Sequence, residues 1–234
     1  MIRRQYEVTM MLMKKNLDVK SILLSLGGFI LLWAIVTDAW GYSALLPIRF
    51  GSYVYAFISR LVWAAPAFWL IFRYSDSLAY NRKSLFSKPL WNRPFIITLI
   101  ASLVFVLACM FLNHVGFWLN PVVNIPLETM KIIMVGLVEE TVLRGWGYNA
   151  LLIVTSDQKA VLYSTIFFVL LHWPAYFVRL FRFGTMDVLG LLGQSIAAMI
   201  WGILFCWLLK KGKTLWHPII IHIVYDLCIV LFVG

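Results

Sequence analysis

The sequence predicts an all-α fold, a multi-pass transmembrane helical bundle with about seven spans. Of the 234 residues, 62% are hydrophobic and only 13% are charged, whereas soluble domains carry about 25% charged residues. The apolar residues are also gathered into long runs. Because each crossing takes about 20 residues, these runs and their short loops use up the chain and leave no room for a soluble domain beside them.

Seven apolar segments follow one another along the chain. Their approximate bounds are 21–37, 50–72, 95–113, 128–153, 159–172, 187–209 and 217–233. The first 20 residues mix apolar and basic side chains, which predicts an amphipathic segment lying on the membrane surface. The fifth segment is short for a span, and its end is placed near Trp173-Pro174.

The basic residues predict the orientation of the chain. Fourteen of the 20 Lys and Arg residues lie in the stretches 1–20, 73–93, 154–159 and 210–213, which fall on one side when the spans alternate. Since basic loops stay in the cytoplasm, we expect a cell-membrane protein with a cytoplasmic N-terminus and an external C-terminus. The net charge of +10 therefore indicates topology and contact with the lipid bilayer, with no nucleic-acid partner.

Three ionisable side chains stand in the middle of the fourth apolar segment. Glu139, Glu140 and Arg144 would together cost about 8–10 kcal/mol if they faced lipid, at about 2.5–3.5 kcal/mol each. Glu140 and Arg144 are four residues apart and are neighbours on one helix face, which predicts a structural ion pair. Glu139 is rotated by about 100° from Glu140 and stays available for chemistry. A purely structural network of all three is the alternative.

Two later segments each bring a histidine. His172 follows Phe168 by four residues, and His222 precedes Asp226 by the same spacing, so each pair shares a helix face. The Asp226 carboxylate can accept a proton from the His222 imidazole and fix its tautomer. Taken singly, His172 fits an interfacial residue and the His222–Asp226 pair fits a structural contact. Arg60, inside the second segment, is interpreted as structural or snorkelling.

Taken together, these groups fit a hydrolytic site. A carboxylate that takes a proton from water, two imidazoles and a second carboxylate are the parts that amide hydrolysis needs. The same four residues are candidate ligands for a divalent metal such as zinc: Glu139, His172, His222 and Asp226. The HExxH signature of zinc proteases is absent, so no independent motif supports the metal.

In these motifs the chain resembles the CAAX-prenyl-protease-like family of intramembrane proteases, also called CPBP or Abi. The matching motifs are EExxxR at Glu139-Glu140 and Arg144, FxxxH at Phe168 and His172, and HxxxD at His222 and Asp226. The resemblance covers roughly residues 128–233 and implies a catalytic helical core (128–234). The apolar pattern places a surface segment (1–20) and N-terminal transmembrane helices (21–127) before it. The resemblance implies a peptide or protein substrate at the membrane.

The resemblance also implies roles for the site residues. Glu139 takes the place of the general base and His172 that of its partner in activating water. His222 and Asp226 stand where the family stabilises the oxyanion or, in metal-based proposals, binds an ion. Asp226 replaces the Asn of members that process prenylated proteins, which favours the prokaryotic branch and its links to bacteriocin maturation and self-immunity.

Two other function classes fit the same sequence. A non-catalytic self-immunity or scaffold protein of this fold would tolerate loss of Glu139. A transporter would use the buried Glu and His residues as a proton relay. The intramembrane endopeptidase is the preferred hypothesis.

Overall fold

The structure is a computed structural model that describes residues 17–43, 49–87, 91–112, 124–185 and 187–233. All regular structure within these ranges is helical, which confirms the all-α bundle. Most of the surface segment predicted for residues 1–20 lies outside the described residues. The helices, in chain order, are α1 (Val19–Ser43), α2 (Arg49–Arg73), α3 (Arg82–Ser87), α4 (Arg93–Leu112), α5 (Ile125–Glu140), α6 (Asn149–Val154), α7 (Asp157–Phe177), α8 (Val188–Gly212) and α9 (Trp216–Cys228).

Three π-helical segments extend these helices. The first, Thr141–Tyr148, joins α5 to α6. The second, Val178–Phe183, continues α7, and the third, Ile229–Val233, continues α9. Such segments are rare and frequently occur at functional sites, and the first of them carries Arg144.

The seven predicted apolar segments are helical over nearly all of their described residues; the fourth covers α5, the π segment Thr141–Tyr148 and α6, and the seventh covers α9 and its π extension. In the described ranges, four helices are long and apolar enough to cross a membrane: Val19–Val36, Arg93–Phe111, Asp157–Phe183 and Val188–Gly212. The expected end of the fifth segment at Trp173-Pro174 is wrong, because α7 continues through Pro174. An apolar surrounding favours this continuation, since a broken helix would leave backbone groups without water to bind.

Polar side chains set the starts of the helices around the later site. Asn124 accepts a hydrogen bond from the Leu127 amide and begins α5. Ser156 and Asp187 cap α7 and α8 in the same way, through the amides of Lys159 and Gly190. Such caps satisfy amides that the first helical turn leaves without a partner.

The π segment Thr141–Tyr148 lies at the centre of the bundle. All eight of its residues are buried, and it contacts α1, α2, α7 and α8. Glycine permits one of the close approaches: a Cβ at Gly147 would lie 2.8 Å from Leu26 Cδ2. Small residues at helix contacts allow this packing in membrane bundles.

The basic stretch between Arg73 and Arg93, predicted as a loop, contains a short helix that packs against the bundle. It contains α3, whose Leu85 is fully buried and accepts hydrogen bonds from the Leu215 amide (2.9 Å) and the Thr214 hydroxyl (3.1 Å). Asn149 binds both backbone groups of Tyr80. These long-range contacts have no local signature in the sequence, and they fold the loop against the bundle.

The same end of the bundle gathers three of the four basic stretches. Lys210 forms a 2.5 Å ion pair with Asp157, and Ser84 donates to the carbonyl of Lys213. The stretches 73–93, 154–159 and 210–213 therefore lie together, as the charge pattern predicts.

The predicted cytoplasmic placement of this end can be tested by thiol labelling. We expect Lys211→Cys to react with a membrane-impermeant reagent only in permeabilised cells, and Arg182→Cys to react in intact cells. Both are made in a background in which Cys109, Cys206 and Cys228 are replaced by Ala. Labelling of both positions from the same side would contradict the predicted topology.

Candidate active site

The structure brings the residues predicted for the site into one cluster. Three parts of the chain supply them: the junction of α5 with the π segment, the later half of α7, and α9. Contacts among their side chains connect Glu139, Glu140, Arg144, Phe168, His172, His222 and Asp226.

The expected ion pair between Glu140 and Arg144 is present. Arg144 Nη1 lies 3.1 Å from Glu140 Oε1, and both side chains are 0% exposed. Arg144 Nη2 also donates to the Gly202 carbonyl at 3.2 Å. A Cβ at Gly202 would lie 2.9 Å from Thr165 Cγ2, so the absence of a side chain lets α8 pack closely against α7 here. The two terminal nitrogens of the guanidinium thus bind a carboxylate and a carbonyl, as a buried charge requires.

Glu140 has a second partner that the sequence did not indicate. Its Oε1 also lies 3.0 Å from His222 Nδ1, and His222 Nε2 lies 3.3 Å from Asp226 Oδ2. The imidazole therefore stands between two carboxylates. A ring with acceptors on both nitrogens satisfies both only when it is doubly protonated and donates twice. The cations Arg144 and His222 then balance the anions Glu140 and Asp226.

Glu139 faces His172 across a gap. Glu139 Oε2 lies 4.0 Å from His172 Nε2, which is too far for a direct hydrogen bond. Glu139 is 6% exposed, and its Oε2 makes no hydrogen bond to any described residue. His172 Nδ1 lies 2.7 Å from the Phe168 carbonyl. Since a carbonyl only accepts, Nδ1 is the donor, and in the neutral ring Nε2 presents its lone pair toward Glu139.

Two phenylalanines hold the charged groups in place. The Phe168 ring meets the rings of His172 and His222 edge-on, at 4.8 and 6.0 Å between centroids, and Arg144 lies 4.3 Å over its face. Phe205 stacks on His222 at 5.0 Å. Phe205 was missed in the sequence, since an aromatic residue in an apolar helix carries no signal of such a contact.

A cavity of about 260 Å³ lies beside the cluster, with Asp226 in its wall. The other charged residues around it are Arg60, Glu128 and Lys131, of which the last two form a 2.6 Å ion pair. Arg60 was interpreted as structural or snorkelling. It lies over the Trp33 ring at 5.8 Å, and its charge interacts with Glu139. The cluster therefore borders, through Asp226, a mainly apolar cavity with charged groups in its wall.

The arrangement does not fit the metal site considered from the sequence. Among the described residues, no three His, Cys, Asp or Glu side chains are placed to hold a metal ion. The hydrogen bonds give the reason. Both nitrogens of His222 face carboxylates, and Nδ1 of His172 donates to Phe168. Nε2 of His172 is the one ring nitrogen of this cluster left to bind a metal ion, so His222 could become a ligand only by giving up a carboxylate partner.

Breaking the buried pair is expected to destabilise the fold. Glu140→Gln leaves Arg144 charged and unbalanced in the bundle interior, which costs about 3–5 kcal/mol, and Arg144→Ala should cost as much. Thermal unfolding in detergent measures this. The matched control is Glu128→Gln on the same helix, which breaks a partly exposed ion pair worth about 0–1 kcal/mol. Equal melting temperatures for Glu140→Gln and Glu128→Gln would contradict the structural role of Glu140.

Comparison with known proteins points in the same direction as the geometry. Residues 121–228 match the family model described as type II CAAX prenyl endopeptidase Rce1-like, and this range contains all seven residues of the cluster. No curated protein and no solved structure matches the chain. Over residues 121–228, the chain is therefore similar to the CAAX-prenyl-protease-like family of intramembrane proteases.

Proposed function

We propose that this protein is an intramembrane endopeptidase that hydrolyses peptide bonds of a membrane-associated or secreted peptide or protein. The observation that carries the proposal is the pair formed by Glu139 and His172. A buried carboxylate oxygen without a hydrogen bond and an imidazole nitrogen with a free lone pair face each other at 4.0 Å.

This separation fits one bridging water molecule. A polar contact longer than 3.5 Å commonly has a water between its ends. Both groups accept hydrogen bonds, so a water between them donates both of its protons and directs its oxygen lone pairs outward. That is the orientation of an activated nucleophile.

The reaction then needs a base that takes a proton from the water and later gives it to the leaving amine. Glu139 takes a proton from the water while the water oxygen attacks the peptide carbonyl carbon. It returns this proton to the nitrogen of the leaving amine when the C–N bond breaks. His172 holds the water and accepts its second hydrogen bond. The hydrogen bond from His172 to Phe168 keeps the required tautomer during this cycle.

His222, held by Asp226, contributes a positive charge that stabilises the oxyanion. The doubly protonated His222, held between Glu140 and Asp226, places a positive charge near the developing oxyanion and stabilises it. Asp226 only accepts hydrogen bonds when ionised, so it orients His222 and does not itself bind the oxyanion. The cavity bounded by Asp226 and Arg60 receives part of the substrate.

Glu139→Gln should abolish peptide cleavage without loss of folding. The substitution keeps the shape of the side chain and removes the base, which is worth about 10²–10⁴-fold in rate. His172→Ala should have a similar effect. Purified protein in detergent is incubated with a farnesylated CAAX peptide, its unprenylated counterpart and a casein digest, and cleavage is followed by mass spectrometry.

The control is Asp76→Asn, which replaces an exposed carboxylate and should leave cleavage unchanged. Full activity of Glu139→Gln would exclude Glu139 as the base. Absence of cleavage by wild type, together with a cellular phenotype that survives Glu139→Gln, is the behaviour of a self-immunity or scaffold protein.

Asp226→Asn should be tolerated better than His222→Ala. The Asn amide oxygen still accepts from His222 Nε2, and the amide also brings a donor. His222→Ala leaves Glu140 and Asp226 without the cation that stands between them. Cleavage rates of both variants are measured with the same peptides. Complete loss of cleavage in Asp226→Asn, restored by added zinc, would instead identify Asp226 as a metal ligand.

A further inference from the structure

The proposed reaction needs a hydrogen-bond donor for the oxyanion, and the cluster supplies few. His222 is already engaged with two carboxylates, through a hydrogen bond to Glu140 and an ion pair with Asp226, and Arg144 donates to a carboxylate and a carbonyl. His172 presents Nε2 as an acceptor, and Asp226 only accepts when ionised. A neutral donor from outside the three sequence motifs therefore has to be sought near Glu139.

Tyr176 is such a donor. It follows Phe168 and His172 at four-residue intervals on α7, so the three side chains share one face of the helix. The Tyr176 ring lies 5.8 Å from the His172 ring, with 36° between their planes. Its hydroxyl group interacts electrostatically with the carboxylates of Glu139 and Asp226, which belong to two other helices.

The Tyr176 side chain is largely buried, but its hydroxyl group has no hydrogen-bond partner among the described residues. The residue is only 7% exposed, and its hydroxyl makes no hydrogen bond to any described residue. Buried tyrosine hydroxyls usually have a hydrogen-bond partner. Tyr148, for comparison, donates to Asp157 at 2.9 Å. A largely buried tyrosine next to His172, with a hydroxyl that has no partner, indicates a partner that arrives with the reaction.

We infer that Tyr176 is a further catalytic residue whose hydroxyl donates a hydrogen bond to the oxyanion of the tetrahedral intermediate. The inference rests on the proposed function. When the water oxygen bonds to the carbonyl carbon, its proton passes to Glu139 and the π electrons of the C=O bond move to the carbonyl oxygen. Tyr176 hydrogen-bonds that oxygen and keeps its own proton. The C=O bond then re-forms, the C–N bond breaks, and the amine takes the proton from Glu139.

Tyr176→Phe tests this directly, because it removes the hydroxyl and keeps the ring against His172. With the peptide that wild type cleaves from the panel above, we expect kcat to fall about 100-fold, as for loss of one oxyanion donor, with KM within about 2-fold. A phosphinate analogue of that peptide, whose tetrahedral centre carries the oxyanion, should lose about the same factor in affinity. Tyr163→Phe, on the same helix, is the matched control and should keep wild-type kinetics.

A second measurement does not depend on the Phe variant folding. Replacing Tyr176 by a trifluorotyrosine makes the phenol more acidic, and a phenolate cannot donate. The alkaline limb of the kcat profile should therefore move to lower pH, whereas the same replacement at Tyr163 should leave the profile unchanged.

The outcomes separate this inference from the proposed function. Wild-type kcat in Tyr176→Phe, with Glu139→Gln inactive, overturns the role of Tyr176 and leaves the protease. If Arg60→Gln loses kcat and Tyr176→Phe does not, Arg60 is the donor instead. Absence of cleavage by wild type overturns both proposals.

Discussion

The structure depends on one buried carboxylate, that of Glu140. It is fully buried at the end of α5 and binds Arg144 and His222 through the same oxygen. Through Arg144 the connection extends to the Gly202 carbonyl on α8. Buried charges are tolerated only when they are paired and hydrogen-bonded, so this requirement fixes how α5, α8 and α9 meet. The aromatic rings of Phe168 and Phe205 close over the guanidinium.

The direction of the neighbouring Glu139 side chain follows from that constraint. Once Glu140 is directed into the network, the helical rotation of about 100° per residue directs Glu139 elsewhere. It faces α7, where His172 is oriented by the Phe168 carbonyl. Two adjacent glutamates thus have different surroundings: Glu140 is paired with Arg144 and His222, and Glu139 faces His172 across a 4.0 Å gap. Different surroundings for paired carboxylates commonly accompany a division between structure and chemistry.

The sequence predicts what depends on spacing within one helix. The apolar segments, the Glu140–Arg144 pair and the His222–Asp226 pair all follow from local periodicity. The contact between Glu140 and His222 joins residues 82 positions apart, and no local pattern reports it. The path of α7 through Pro174 reflects the apolar surroundings, which override the usual effect of proline. Tyr176 lies one turn beyond the FxxxH motif, where a tyrosine in an apolar helix resembles ordinary packing.

The central claim is that Glu140 serves the fold while Glu139 serves the chemistry. It is tested most directly by the double variant Glu140→Gln/Arg144→Leu, measured for both melting temperature and peptide cleavage. Neutralising both partners removes the unbalanced charge, and the Gln oxygen still accepts from His222 Nδ1. We predict that the double variant regains most of the stability lost by either single variant and also cleaves the substrate. A stable double variant without cleavage would show that Glu140 takes part in the reaction, and would contradict this account.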